Sequence, residues 1–120
     1  MKLLVNIDVD DLAKAARFYG DALGLTVSRR LGAEMVELSG AAAPIYLLAK
    51  APGSPAALSV TQSRDYLRHW TPVHLDFAVD DIAAATKRAV DAAPRRKAAS
   101  SGTRGATSPT WPTRSATGSA

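Results

Sequence analysis

The hydrophobic pattern of the first fifty residues predicts one strand, one helix and three further strands. Residues 3–9 alternate apolar and polar side chains, as a half-buried strand does. Asp10 and Asp11 are suited to cap a helix, and an apolar stripe at helical spacing follows over residues 12–23 and ends at Gly24. Three short β-like runs come next, over residues 25–30, 34–38 and 44–50. The order is therefore βαβββ.

The same opening returns 70 residues further along the chain. Residues 51–71 are rich in proline and polar side chains at their start and are interpreted as a connector. Residues 73–79 predict a strand, and the segment Val79-Asp80-Asp81-Ile82-Ala83 then matches Val9-Asp10-Asp11-Leu12-Ala13 in strand phase and in cap. Any strand that is followed by a capped helix would look similar, but agreement in both features favours an internal repeat of the whole unit.

The end of the chain does not continue this repeat. Residues 93–120 contain no Leu, Ile, Val, Phe, Met or Tyr, and Trp111 is their only large apolar side chain. Such a segment cannot bury enough surface to offset the entropy of ordering it. We therefore expect a basic, irregular tail rich in Ser, Thr, Ala and Pro, and a second module that is truncated after its helix.

Composition narrows the class of protein. A chain of 120 residues is the size of one domain, and without cysteine it has neither disulfides nor a thiolate metal site. The net charge of +4 would suggest nucleic acid, but residues 1–91 hold all eleven acidic residues and ten of the fifteen basic ones. Because the body is nearly neutral, we expect no nucleic-acid partner. Without a long apolar run or a signal peptide, we expect a cytoplasmic protein with no membrane partner.

The paired segments resemble a known superfamily. The run from Val9 to Tyr19, followed by Leu23-Gly24-Leu25, is similar to the first module of the vicinal oxygen chelate superfamily, and the run from Trp70 to Asp91 is similar to the second. This group contains glyoxalases, bleomycin-resistance proteins and extradiol dioxygenases. The resemblance implies an α+β fold in which two βαβββ modules form a curved mixed sheet around a ligand cup.

On this resemblance the chain divides into four parts. Residues 1–50 are the first module, residues 51–71 the connector, residues 72–92 the strand and helix of the second module, and residues 93–120 the tail. A shift of reading frame through residues 106–120 permits a string that includes Asp-Pro-Phe-Gly-His, which resembles the closing turn of the superfamily. We therefore hypothesise a frameshift near residues 92–106, by mutation or by sequence error.

Strand alternation assigns the side chains that line the cup. Asn6 and Asp8 in the first strand, and His74 and Asp76 in the repeated strand, lie on the side away from the helices. Tyr46 and Trp70 are aromatic groups that could stack on a flat ligand, although core packing or anchoring of the connector is an alternative. These residues are the predicted lining of a ligand-binding site: Asn6, Asp8, Tyr46, Trp70, His74 and Asp76.

A metal centre has weaker support. The resemblance places His74 where metal-binding members have a histidine ligand, but the equivalent residue of the first strand is Leu4. The strand over residues 44–50 offers Tyr46 and no acid. Catalytic sites normally fix a metal ion with three or more side chains. We therefore predict no cofactor, with a divalent metal ion at His74 as the alternative.

Glu37 and the pair Arg29-Arg30 have two interpretations each. Glu37 is an acid inside a predicted strand of the first module, and it is either an inward-facing general base or a solvated strand residue. Arg29 and Arg30 form either a solvated strand end or an anion-binding pair. No residue is predicted to be catalytic beyond this alternative for Glu37.

The predicted function is metal-independent binding of a small, partly apolar molecule, as in the bleomycin-resistance proteins that the chain resembles. One alternative is a metal-dependent lyase or dioxygenase of the same superfamily, and another is an inactive truncated product. Because an unpaired sheet edge is a site of association between chains, we also expect a homodimer.

Overall fold

The computed structural model describes residues 1–93 of the protein. Four strands form one mixed sheet in the order β1-β4-β3-β2, where β1 pairs with β4 in parallel and the other pairs are antiparallel. The strands are β1 (Val5–Val9), β2 (Thr26–Leu31), β3 (Met35–Ser39) and β4 (Ile45–Ala49), and the helices are α1 (Leu12–Leu23) and α2 (Ile82–Ala92). The α+β class and the βαβββ order of the first module are confirmed.

Both helices begin at the aspartates that the sequence indicated. Asp11 has extended backbone angles and its Oδ1 accepts a hydrogen bond from the Lys14 amide at 3.0 Å, while Asp81 accepts one from the Ala84 amide at the same distance. Each carboxylate thus satisfies a backbone N–H group that has no partner inside the helix. α1 ends at Gly24, whose φ of 72° is left-handed and suits glycine.

The core lies between α1 and one face of the sheet. Its central side chains are Val36, Leu38, Ile45 and Leu47, each at most 3% exposed. One stripe of α1 packs against them, including Leu12, Ala15, Ala16, Tyr19 and Leu23. Among residues 1–93 every buried residue lies between Ala22 and Leu47, so all the fully buried side chains belong to the first module.

The strand predicted over residues 73–79 differs from the structure. Leu75, Phe77 and Val79 are partly buried and alternate with exposed neighbours, and Phe77 packs against the core, whereas Val73 is 65% exposed. The segment pairs with no strand of the described part of the chain, and that prediction was wrong for residues 1–93. In the first module β1 pairs with the last strand of its own unit.

The expectations for the end of the chain fall outside the described residues. They include the irregular tail over residues 93–120, apart from its first residue, and the frameshift, which stays a hypothesis that the nucleotide sequence of the gene tests. Within residues 1–93 no helix is long and apolar enough to cross a membrane.

Candidate functional site

The face of the sheet opposite α1, here called the open face, carries a row of polar side chains. Strand register pairs Asn6 with Tyr46, Tyr46 with Glu37, and Glu37 with Arg29, so that one residue comes from each strand. Directly opposed residues project to the same side of a sheet. Two predicted lining residues, Asn6 and Tyr46, therefore lie side by side, next to Glu37.

A β-bulge in β2 brings two side chains onto Glu37. The register with β3 shifts between Val27 and Arg29, which leaves Ser28 as the extra residue. Ser28 Oγ donates a hydrogen bond to Glu37 Oε1 at 2.8 Å, and Arg29 Nε lies 3.4 Å from the same oxygen. Without the insertion, alternation would turn Arg29 toward α1. The bulge therefore builds a polar cluster that a regular strand would not form.

Tyr46 completes the hydrogen bonding of Glu37. Its hydroxyl donates to Glu37 Oε2 at 2.5 Å and accepts a long hydrogen bond from Arg29 Nη2 at 3.5 Å. Hydrogen bonds from Tyr46 and Ser28, together with the positive charge of Arg29, hold the pKa of Glu37 below its ordinary value. Glu37 projects to the open face, as its interpretation as a general base requires. A carboxylate with a lowered pKa is nevertheless a weak base.

A second row on the open face is mainly apolar. Register places Leu31 opposite Met35, Met35 opposite Leu48, and Leu48 opposite Asp8. Met35 and Leu48 are partly buried, and Leu31 is exposed at the outer strand. The open face thus combines a polar row with an adjacent apolar row.

Asp8 is engaged by the connector. Arg64 Nε lies 2.7 Å from Asp8 Oδ2, and Arg64 Nη1 also donates to Ser54 Oγ and to the carbonyl of Pro55. A bridge between Pro55 and Ser63 closes this part of the connector into a small hairpin. Tyr66 fixes it further by donating to the Lys50 carbonyl at 2.7 Å. The connector therefore borders the Asp8 end of the open face, and the carboxylate of Asp8 already has a partner.

The other three predicted lining residues are not joined to this face. Trp70 is 82% exposed, and His74 and Asp76 are exposed in the segment that pairs with no strand of residues 1–93. Within that part of the chain neither His74 nor Asp76 has a side-chain hydrogen bond or ion pair to the sheet. The structure thus brings together Asn6, Asp8 and Tyr46, while a ligand-binding role for the other three stays a prediction.

A family model for the glyoxalase-like domain matches residues 4–110. The chain belongs to the glyoxalase-like domain family. This membership supports the vicinal oxygen chelate fold, and the match includes both copies of the repeated segment. No curated protein matches the chain at a significant level.

Several solved structures are similar to this glyoxalase-like chain, and those with a TM-score above 0.5 share its fold. A gene product from Arabidopsis thaliana is 24% identical, with a TM-score of 0.52, and the match covers 77% of this chain and 70% of that one. An integron cassette protein from the mobile metagenome of V. cholerae is 21% identical, with a TM-score of 0.51 and coverages of 76% and 66%. Lactoylglutathione lyase from Agrobacterium tumefaciens is 19% identical, with a TM-score of 0.46 and coverages of 77% and 66%. The chain thus spans slightly less than two thirds of the last two proteins.

The described residues of this glyoxalase-like domain do not fit a metal centre. Among residues 1–93 no group of three or more His, Asp or Glu side chains is placed to hold a metal ion. Leu4 precedes β1 at the position that corresponds to His74, and it offers no donor atom. The carboxylates of the open face are engaged by Arg64, or by Tyr46 and Ser28. We therefore derive no chemical step through a metal ion.

Sequence reasoning missed Ser28 and Arg64, and it named Arg29 only as part of a solvated strand end or of an anion-binding pair. Ser28 and Arg29 reach Glu37 only because of the bulge, and Arg64 reaches Asp8 across the connector. The one available signal for the bulge is the polar run between Val27 and Leu31, and a solvated strand end gives the same pattern. The contact between Arg64 and Asp8 joins residues 56 positions apart and leaves no local pattern.

Proposed function

We propose that this glyoxalase-like chain binds a small, partly apolar molecule on the open face of its sheet, without a metal ion. The observation that carries the proposal is the polar row of Asn6, Tyr46, Glu37 and Arg29 beside the apolar row of Leu31, Met35 and Leu48. Binding sites for small molecules typically combine an apolar lining with a few placed polar groups. The hairpin of the connector supports the proposal because it borders the face at Asp8.

Metal independence is supported by the chemistry of the side chains. Leu4 and Tyr46 stand where the superfamily resemblance would require ligands, and a single exposed imidazole at His74 does not fix an ion. The metal-dependent lyase or dioxygenase therefore has no specific observation among residues 1–93 in its favour. The inactive product is the remaining alternative, and a binding experiment separates it from the proposal.

The test uses 1-naphthamide, a neutral bicyclic probe, in calorimetry and in amide NMR titrations with and without EDTA. We expect saturable binding that EDTA leaves unchanged and that shifts the amides of β3 and β4. Leu48→Gln should weaken binding because it places an amide in the apolar row. Leu58→Gln is the matched control, since Leu58 is 93% exposed on the connector.

Three outcomes separate the alternatives. Binding that EDTA abolishes would favour the metal-dependent enzyme, and no saturable binding at all would favour the inactive product. Equal weakening by Leu48→Gln and Leu58→Gln would place the probe away from the open face. Each of these results contradicts the proposal.

We also propose a homodimer. Neither β1 nor β2 has a strand neighbour on its outer side among residues 1–93, and unpaired edges favour association between chains. Light scattering at micromolar concentration tests the proposal, and a monomer at every concentration would contradict it.

A further inference from the structure

We propose that Arg29 binds an anionic group of the ligand, and that the ligand is a small carboxylic acid with an apolar or aromatic body. This inference rests on the proposed function and names its substrate class. It is carried by the placement of one exposed guanidinium in the polar row of the open face, next to the apolar row.

The position of Arg29 is fixed, while much of its guanidinium remains accessible. Nε lies 3.4 Å from Glu37 Oε1 and Nη2 lies 3.5 Å from the Tyr46 hydroxyl, so both contacts are long. The side chain is 58% exposed, and Nη1 has no hydrogen-bond partner within residues 1–93. A guanidinium presents five N–H donors, so donors remain for a ligand.

The acidic groups of the open face are already engaged. Glu37 accepts from Ser28 on one oxygen and from Tyr46 on the other, and Asp8 is paired with Arg64 at 2.7 Å. These carboxylates therefore offer little to a cationic ligand. Lys2 adds positive potential near Glu37. Arg29 is itself paired with Glu37, but its exposed guanidinium still offers N–H donors to an anionic group.

The apolar row supplies a surface for the rest of the ligand. Leu31 lies two residues beyond Arg29 on the same side of β2, and Met35 and Leu48 continue the row across the neighbouring strands. A molecule whose carboxylate binds Arg29 can lay a ring or a short chain along these three side chains. Guanidinium groups pair with carboxylates through two parallel hydrogen bonds, which fixes the orientation of the bound acid.

Arg30 provides a matched control next to Arg29 in the chain. It pairs with Val36 in the ladder and therefore projects to the side of α1, where it lines a groove of about 500 Å³ with Arg17, Leu12 and Val27. Arg29→Gln and Arg30→Gln remove the same charge from adjacent positions on opposite faces. A nonspecific effect of net charge would be equal in the two variants.

The experiment compares 1-naphthoate with 1-naphthamide, which have the same ring and nearly the same shape. We expect naphthoate to bind about tenfold more tightly, because charge-assisted hydrogen bonds are the stronger ones. Arg29→Gln should remove this preference by weakening naphthoate binding about tenfold, and Arg30→Gln should preserve it. Added salt should weaken naphthoate binding and leave naphthamide binding unchanged.

The results that would overturn the inference are distinct from those that overturn the proposed function. Equal affinity of both probes for the unmodified protein would reject the acid but leave small-molecule binding intact. Loss of the preference in Arg30→Gln and not in Arg29→Gln would move anion binding to the groove beside α1. Failure of both probes to bind would reject the inference and the proposed function together.

Discussion

Tyr46 on β4 donates its hydroxyl hydrogen to the carboxylate of Glu37 on β3, with 2.5 Å between the two oxygens. The side chain of Glu37 is only 18% exposed, and it accepts a second hydrogen bond from Ser28. These two hydrogen bonds join β3 to both of its neighbours, β4 and β2, at the centre of the open face. Their strength depends on the charge of Glu37, because a protonated carboxyl accepts these hydrogen bonds less well.

Stability should therefore fall in acid through Glu37. The pKa of this group lies below its ordinary value of 4.5, because Tyr46, Ser28 and Arg29 favour the charged form. The stabilisation is fully present above the ordinary pKa and is lost as the pH falls through the lowered one. Urea unfolding of the wild type and Glu37→Gln between about pH 7 and pH 3 measures it. We expect the difference in stability to shrink in acid, and a constant difference would contradict this.

Removing the Tyr46 hydroxyl should raise the pKa of Glu37. The hydrogen bond from Tyr46 is the largest cause of the lowered pKa, so Tyr46→Phe should move it back toward the ordinary value. An NMR titration of the Glu37 carboxyl carbon measures the change. Tyr66→Phe is the control, since Tyr66 donates to the Lys50 carbonyl and not to Glu37. Equal titration curves for the wild type and Tyr46→Phe would refute the expectation.

The core should respond to truncation within the first module. Leu47 is fully buried, so Leu47→Ala should lower the free energy of unfolding by about 2–5 kcal/mol through lost contacts and a cavity. Leu58→Ala removes the same atoms from a side chain that is 93% exposed. This variant should change the free energy of unfolding by less than about 0.5 kcal/mol. Urea unfolding followed by circular dichroism checks both values, and similar losses would be inconsistent with a core confined to the first module.

Removing the two helix caps should lower the stability of the whole protein by different amounts. Asp11→Ala should destabilise the protein by about 1 kcal/mol, because α1 packs against the core. Asp81→Ala removes an identical hydrogen bond from α2, which contains no buried residue. We expect faster hydrogen exchange at Ala84 and Ala85 with little change in global unfolding. If urea unfolding showed a larger loss of stability in Asp81→Ala than in Asp11→Ala, α2 would support the fold more than its burial indicates.

Arg64 should hold the hairpin of the connector in place. Arg64→Gln removes the ion pair with Asp8 and should accelerate hydrogen exchange at Gly53 and Ala56, whose amides donate within the connector. The effect on global stability should stay below about 1 kcal/mol, as for other partly exposed pairs. Lys87→Gln breaks the ion pair with Asp91 and serves as the control. Unchanged exchange in Arg64→Gln would mean that backbone hydrogen bonds alone fix the hairpin.

Local signals in the sequence predicted the first module well. The Asp11 cap, the Gly24 stop and the alternation of β1 each depend on a few neighbouring residues, and all three appear in the structure. Strand ends moved by one or two residues because ladder pairing, and not residue type, decides where a strand stops. The same logic explains residues 73–79, where alternation is present but no strand of residues 1–93 pairs with the segment.

The site was harder to predict than the fold. Asn6 and Asp8 followed from strand phase, Tyr46 was proposed as an aromatic stacking group, and the structure places all three on one face. Arg29 required knowledge of one inserted residue, which reverses the side of every following position in β2. Arg64 required the path of the connector. Contacts of these kinds depend on three-dimensional placement that local periodicity does not encode.

The matching caps at Asp11 and Asp81 stand on helices with very different surroundings. One helix covers the core and the other has no buried side chain, yet both starts have nearly the same backbone angles and the same 3.0 Å hydrogen bond. A start signal of this kind needs only its own four residues. The same start signal can therefore serve two helices whose packing has little else in common.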